Sequence, residues 1–171
     1  MNILKMLAGG DRRSIGRGAQ VVRHVLDDAS RFSILIDGLS HGDSLVRMRC
    51  ADAAEKVSRE HPEWLQPFKD ELIEIAASST QQEVRWHLAQ MLPRLKLSDR
   101  ERQSIIALLY DYLDDKSRIV NTFGMTALAE LASDDEQLRA KLIPTLKHLV
   151  RVGSPAVQNR GKRLLARLTS G

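Results

Sequence analysis

DSLVRMRCADAAEKV (residues 43–57) and QQEVRWHLAQMLPRL (residues 81–95) are the two segments that decide the fold. Each places a valine after a polar turn and then repeats small or apolar residues three or four positions apart, the spacing of one helix face. The same frame recurs in KSRIVNTFGMTALAEL (116–131) and SPAVQNRGKRLLARL (154–168), so that Val46, Val84, Val120 and Val157 lie 38, 36 and 37 residues apart. A fixed period of this length predicts stacked helical repeats, each of which buries a face of its neighbour.

Helix start and stop signals arrange the rest of the chain around these segments in pairs. The predicted fold class is all-α: an α-α superhelix, or solenoid, of about four helical hairpins with an N-terminal helical cap. We assign residues 1–28 to the cap and residues 30–60, 62–97, 98–133 and 134–169 to the repeats of a single domain, 1–171. Segments 30–39, 62–77 and 83–95 are each predicted as one helix, with kinks expected at Pro67 and Pro144.

The glycine-rich loop GGDRRSIGRG (residues 9–18) is a candidate phosphate loop by composition alone. It lacks the Gly-Lys-Ser/Thr ending, and no strand precedes it, so we interpret it as a flexible connector.

The net charge is only +4, but it is distributed unevenly along the chain. Residues 27–136 carry 13 bases and 21 acids, whereas residues 137–171 carry eight bases and no acid. One interpretation is that the last bases complement helix dipoles and keep the final repeat soluble. The other is an anion-binding end for an acidic protein or for phosphate, with Arg151, Arg160, Arg163 and Arg167 as the candidate residues.

The second helix of each pair resembles a HEAT repeat, in which a polar or acidic turn precedes Val-Arg, small residues, and then Leu or Val. Segments 43–57 and 81–95 follow this pattern, while Asn121 and Gln158 replace the arginine in the last two repeats. The resemblance covers about 140 residues, which is close to four repeats of this length. It implies that Asp43 and Arg47 help to join neighbouring repeats. It is specific for the fold and weak for function, because HEAT repeats serve mainly as scaffolds for unrelated partners.

The resemblance also implies that the second helices line a concave groove. At about 100° per residue, positions two and six after each repeat valine point away from the core stripe. We therefore predict a partner-binding groove lined by Met48, Asp52, Trp86, Gln90, Thr122 and Thr126. Trp86 is the main candidate contact residue, because tryptophan is enriched in interface hot spots; the alternative is that it folds over the helix and packs on the adjacent repeat.

The sequence contains little that points to catalysis or to a cofactor. The five histidines show no metal-ligand spacing with one another or with Cys50, and no nucleophile elbow or phosphate loop is present. Cys50 is predicted to be a small core residue, and a single cysteine favours a reducing, cytoplasmic location. No apolar run is long enough to cross a bilayer. We thus expect no enzyme activity, no cofactor, no metal and no membrane association.

Three functions stay open at the level of sequence. The first is a non-catalytic scaffold or adaptor that holds a peptide or helix of another protein in the groove. The alternative is nucleic-acid binding through the basic C-terminal repeat, with the HEAT-like DNA glycosylases of the AlkD type as possible relatives. Asp52, Trp86, Arg160 and Arg163 are the residues that such a relationship would use, but no catalytic residue carries over from that family. A lyase-like or chaperone role is the third.

Overall fold

The computed structural model describes residues 2–9 and 17–170, so residues 10–16 of the predicted connector lie outside the described residues. Within these ranges the chain is helical, and no strand occurs. The α-helices are α1 (Ile3–Leu7), α2 (Gly18–Leu26), α3 (Phe32–Asp37), α4 (Ser44–Glu60), α5 (Lys69–Ser78), α6 (Gln82–Met91), α7 (Asp99–Leu113), α8 (Arg118–Leu131), α9 (Glu136–Val152) and α10 (Pro155–Thr169). No helix in the described ranges has both the length and the apolar character needed to cross a bilayer.

The chain divides into two compact units at a junction between predicted repeats. The N-terminal unit is Met1–Lys96 and the C-terminal unit is Leu97–Gly171. In the first, α2 and α6 pack on α4; in the second, α7 and α10 pack on α8. The interpretation of residues 1–171 as one domain stays a prediction.

The core confirms the predicted helix phase. The four repeat valines are 0–5% exposed, and the side chains four and eleven positions after each of them are buried as well. Leu165, eight positions after Val157, is half-buried, and Leu164 beside it is 5% exposed. Burying a leucine or valine side chain in this way contributes about 1.5–3 kcal/mol.

Three of the predicted continuous helices are interrupted by 3₁₀ turns. Ala29–Arg31 and Gly38–Ser40 flank α3, Pro62–Phe68 precedes α5, and Leu92–Arg94 ends α6. Pro67 and Pro93 explain two of these interruptions, because proline removes an i→i−4 hydrogen bond. In contrast, α9 continues through the exposed Pro144.

The 3₁₀ segment before α5 also moves one core residue. Ile73 holds the apolar position of the repeat in sequence, but Leu72 is fully buried while Ile73 is half-buried. A 3₁₀ turn has 3.0 residues per turn and an α turn 3.6, so the helix that follows Pro62–Phe68 enters with a different phase.

The residue after each repeat valine closes the turn that precedes its own helix. Arg47 Nη1 donates to the carbonyls of His41 and Gly42, at 2.6 and 3.0 Å. Arg85, Asn121 and Gln158 do the same for carbonyls of their own turns, at 2.6–3.0 Å. Arg47 Nε also donates to Gln81 Oε1 of the next repeat at 2.8 Å. Asn121 and Gln158 thus preserve the turn-closing role of the arginine.

Asp43 does not pair with Arg47, contrary to the expectation from the resemblance. Its carboxylate accepts from the backbone N–H of Leu45 at 2.8 Å and so caps α4. The join between these two repeats is made instead by Gln81, whose Nε2 donates to the Ser44 carbonyl at 2.8 Å while its Oε1 accepts from Arg47.

Two glycines in the second helices allow close helix approach, as predicted. A Cβ added to Gly161 would lie 2.7 Å from Val150 Cγ2, and one added to Gly124 would lie 3.1 Å from Tyr112 Cβ. Cys50 occupies the equivalent position in α4 and faces Gly38.

Candidate functional site

The second helices of the N-terminal unit, α4 and α6, present four of the predicted groove residues. Met48, Asp52, Trp86 and Gln90 are all half-buried, while Val84 and Leu92 on the opposite side of α6 are fully buried. We call these four residues the second-helix face. Their partial exposure is the placement that the helix phase predicts, and whether they bind a partner stays a prediction.

Trp86 is held in a fixed position by the residue that follows it. Its indole Nε1 donates to His87 Nε2 at 3.2 Å, and the two rings lie 5.4 Å apart at their centroids. His87 is 8% exposed, and its Nδ1 lies 2.6 Å from the Glu83 carbonyl. A carbonyl oxygen can only accept, so His87 carries its proton on Nδ1 and leaves Nε2 free to accept from the indole. Gln90 Nε2 donates to the Trp86 carbonyl at 3.2 Å.

Asp52 adds a negative charge to this face. Its Oδ2 accepts from Lys56 Nζ at 2.7 Å, and its Oδ1 lies 3.5 Å from His87 Nε2. Burial raises the pKa of the Asp52 carboxyl, but hydrogen bonds from His87 and Lys56 outweigh burial and hold this pKa below its ordinary value. The face therefore combines a thioether, an indole, an amide and a carboxylate.

A buried ion pair that the sequence does not reveal lies next to this face. The Glu55 side chain is only 2% exposed and accepts from Arg59 at 2.6 Å and from Arg94 at 2.7 Å. Arg94 also donates to the Glu55 carbonyl and to Ser58 Oγ, at 3.1 and 2.6 Å. The helix phase places Glu55 on the outward side, so the phase alone gives the wrong environment. Tethering by Arg94 accounts for its burial, because a buried carboxylate requires a paired cation.

In the C-terminal unit, Thr122 does not face outward as predicted. It is 7% exposed, and its hydroxyl donates back to the Ile119 carbonyl at 2.9 Å. A short side chain whose polar atom is satisfied by its own helix can be buried at little cost. Thr126 is half-buried, and its Oγ1 accepts from Arg160 Nη1 at 2.6 Å.

The four predicted anion-binding arginines fall on two different surfaces. Arg160, Arg163 and Arg167 recur at intervals of three and four on α10 and form one stripe. In this stripe Arg160 is half-buried and lies over the Phe123 ring at 5.4 Å from its centroid, whereas Arg163 and Arg167 are exposed. Arg151 lies on α9 and lines a separate cleft with Leu165. Leu165 and Arg163 project about 160° apart around α10, given 100° per residue.

The HEAT repeat domain model matches residues 10–168 of the sequence. The chain belongs to the HEAT repeat family. Among solved structures, the crystal structure of an engineered protein aligns with 100% of this chain and 81% of its own, at 22% identity and a TM-score of 0.66. A designed armadillo repeat protein in complex with the peptide (KR)4 aligns with 98% of this chain and 80% of its own, at 16% identity and a TM-score of 0.61. A comparison with curated proteins gives no match.

These likenesses confirm the HEAT and armadillo type of α-solenoid fold and leave the ligand open. HEAT and armadillo repeats commonly serve as protein-binding scaffolds and are typically non-enzymatic. Within the described part of this HEAT chain, no group of three or more His, Cys, Asp or Glu side chains is placed to hold a metal ion.

Trp64, the second tryptophan of the HEAT chain, is a packing residue, as the sequence suggests. It meets Phe32 edge-on at 6.0 Å and stacks on His61 at 4.2 Å between ring centroids.

Proposed function

We propose that this protein is a non-catalytic interaction module that binds an extended or helical segment of another protein on its second-helix face. The observation that carries the proposal is the placement of Trp86: half-buried, with its indole N–H bonded to His87, between Met48 of α4 and Gln90 one turn along α6. An anchored indole loses little side-chain entropy when a partner covers it, and for this reason tryptophan is frequent in hot spots.

The chemistry of the face favours a peptide segment over a small molecule. Met48 and Trp86 offer adaptable and rigid apolar surface, respectively. Gln90, whose amide N–H is already directed at the Trp86 carbonyl, presents its side-chain oxygen to backbone N–H donors. Asp52 supplies a fixed negative charge that would favour a basic side chain in the partner.

The proposal is tested by selecting peptides from a displayed random library against the wild-type protein and measuring their affinity by fluorescence anisotropy. Trp86→Ala and Gln90→Ala should each weaken a selected peptide, the tryptophan variant by about tenfold or more, since hot-spot truncations cost about 2 kcal/mol or more. Circular dichroism and thermal melting establish that the variants stay folded.

Gln103→Ala provides the matched control, because Gln103 is an exposed glutamine on α7. It should leave affinity unchanged. Selected peptides that bind Trp86→Ala and Gln90→Ala as tightly as wild type would overturn the proposal. A Trp86→Ala variant that fails to fold shifts the test to Gln90→Ala and to Met48→Ala.

A second candidate function, binding of nucleic acid, is favoured by the α10 arginine stripe. Arg163 and Arg167 are exposed, and residues 137–171 contain no acid to compete for them. Affinity for a DNA duplex should then fall by about one log unit per log unit of salt for each phosphate contacted. Arg163→Gln with Arg167→Gln should remove that slope, whereas absence of binding at low salt would exclude this function.

A further inference from the structure

A second recessed surface lies between the two helices of the last repeat, away from the second-helix face. This cleft, about 510 Å³ in volume, is lined by Pro144, Lys147, Val150 and Arg151 of α9 and by Leu165 of α10. We call it the α9–α10 cleft. Pockets of this size hold several side chains of a ligand.

The cleft has an apolar floor and a basic rim. Val150 and Leu165 are half-buried, whereas Pro144, Lys147 and Arg151 are exposed. Pro144, Lys147 and Arg151 recur at intervals of three and four, so their side chains share one stripe of α9. Val152, just beyond Arg151, is 65% exposed and extends the apolar surface at the end of α9.

The charge around the cleft has one sign. Residues 137–171 contain eight lysines and arginines and no aspartate or glutamate. Neither Lys147 nor Arg151 makes an ion pair within the described residues. Lys162, three positions before Leu165 on α10, is exposed and adds to the same side of that helix.

We infer that the α9–α10 cleft binds an acidic amphipathic helix of a partner protein. The leucine-like side chains on one face of such a helix would fill the floor at Val150 and Leu165, and its flanking carboxylates would pair with Lys147 and Arg151. A phosphate backbone would use the rim but gain nothing from the aliphatic floor, because no aromatic ring lines the cleft for base stacking. The combination of floor and rim thus distinguishes this surface from the α10 arginine stripe.

The test uses a fluorescent four-turn peptide of glutamate and leucine, with its leucines on one helix face, and a scrambled peptide of identical composition. The patterned peptide should bind the full-length protein at moderate salt, at least about tenfold more tightly than the scrambled one. Lys147→Glu with Arg151→Glu should weaken it about tenfold or more, and Leu165→Gln should weaken it as well.

Two control variants separate this site from the others. Arg163→Glu reverses the same charge on the other side of α10 and should change affinity less than about threefold. Trp86→Ala should leave peptide binding unchanged, so this inference and the proposed function can fail independently.

Three results would overturn the inference: equal loss of affinity in Arg163→Glu and Arg151→Glu, tighter binding of a DNA duplex than of the patterned peptide, or equal binding of the scrambled peptide. A dimer in sedimentation velocity that Arg151→Glu dissociates would also overturn it, because a second copy of this chain would then occupy the cleft. Leu165→Gln is half-buried and could destabilise the last repeat, so its melting temperature is measured alongside the surface variant Lys147→Glu.

Discussion

Nε2 of His87 lies 3.2 Å from the Trp86 indole nitrogen and 3.5 Å from Oδ1 of Asp52. A neutral ring accepts the indole N–H at this atom, whereas a protonated ring has a hydrogen there and donates it to the carboxylate. One nitrogen cannot serve both neighbours at once. The protonation state of His87 therefore decides whether the indole N–H of the second-helix face has an acceptor.

This competition predicts a pH-dependent environment for Trp86. In a Trp64→Phe background, where Trp86 is the one remaining tryptophan, its emission should shift as acid protonates His87 and the indole loses its partner. Asp52 stays ionised at this stage, because the His87 and Lys56 hydrogen bonds outweigh burial and lower the pKa of its carboxyl.

The matched variants for this titration are His87→Gln and Asp52→Asn. The first should abolish the pH-dependent shift, and the second should move its midpoint to lower pH, since the protonated ring loses its anion. An emission spectrum that is the same with and without His87 across the titration would contradict the competition.

The Glu55–Arg94 pair predicts a large and pH-dependent loss of stability in Glu55→Gln. Burial raises the pKa of the Glu55 carboxyl, but hydrogen bonds from Arg59 and Arg94 outweigh it and lower this pKa. A lowered native pKa stabilises the fold above the unfolded-state pKa, and this contribution disappears as pH falls through the native value. Breaking a buried pair costs about 3 kcal/mol, so denaturant unfolding at neutral pH should show a difference that shrinks in acid.

Arginine variants provide the control for the Glu55 pair. Arg94, whose side chain is 22% exposed, should matter more than Arg59, whose side chain is 59% exposed. Arg59→Ala should cost less than about 1 kcal/mol, as for other solvated ion pairs. Equal losses in Arg59→Ala and Arg94→Ala would show that burial does not set the strength of these contacts.

Asn121→Ala should destabilise the C-terminal unit by about 1–3 kcal/mol, because the carbonyls of Tyr112, Leu113 and Asp115 lose a donor. Asn159→Ala, at an exposed position of α10, should change the free energy of unfolding by less than about 0.5 kcal/mol. Chemical denaturation of both variants measures the difference. Similar values for the two would mean that closing the turn contributes nothing.

Cys50 should not react with thiol reagents in the native protein. It is fully buried, and burial raises the pKa of its thiol to about 12, so little thiolate forms at neutral pH. A Cβ on Gly38 would overlap Cys50 Sγ, so Gly38→Ala should lower the melting temperature and accelerate labelling. Gly42→Ala, where an added Cβ meets nothing within 4 Å, should leave both unchanged.

The helix phase of the second helices could be predicted from sequence because it rests on one local rule. A stripe that repeats every 3.6 residues must face the core, and the burial of Val84 with partial exposure of Trp86 follows from it. Thr122 and Glu55 break the rule. Their environments depend on a hydroxyl that bonds to its own helix and on an arginine 39 residues away in the chain, neither of which periodicity encodes.

The chemistry of the second-helix face was only partly predictable. Trp86, Gln90, Met48 and Asp52 follow from their positions alone. The role of His87 does not, because it depends on α4 bringing Asp52 within 3.5 Å of its ring. A polar residue next to an outward tryptophan is the one sequence signal that pointed there. The α9–α10 cleft likewise arises from packing of two helices, and only its charge was visible in the sequence.

The side chain after each repeat valine ties down the loop just before its own helix, whether it is arginine, asparagine or glutamine. Each hairpin therefore carries its own fastening. A gene that duplicated or lost one such cassette would transmit the closed turn intact, with no partner needed elsewhere in the chain. Arrays of this kind can lengthen or shorten in evolution while every remaining turn keeps its geometry.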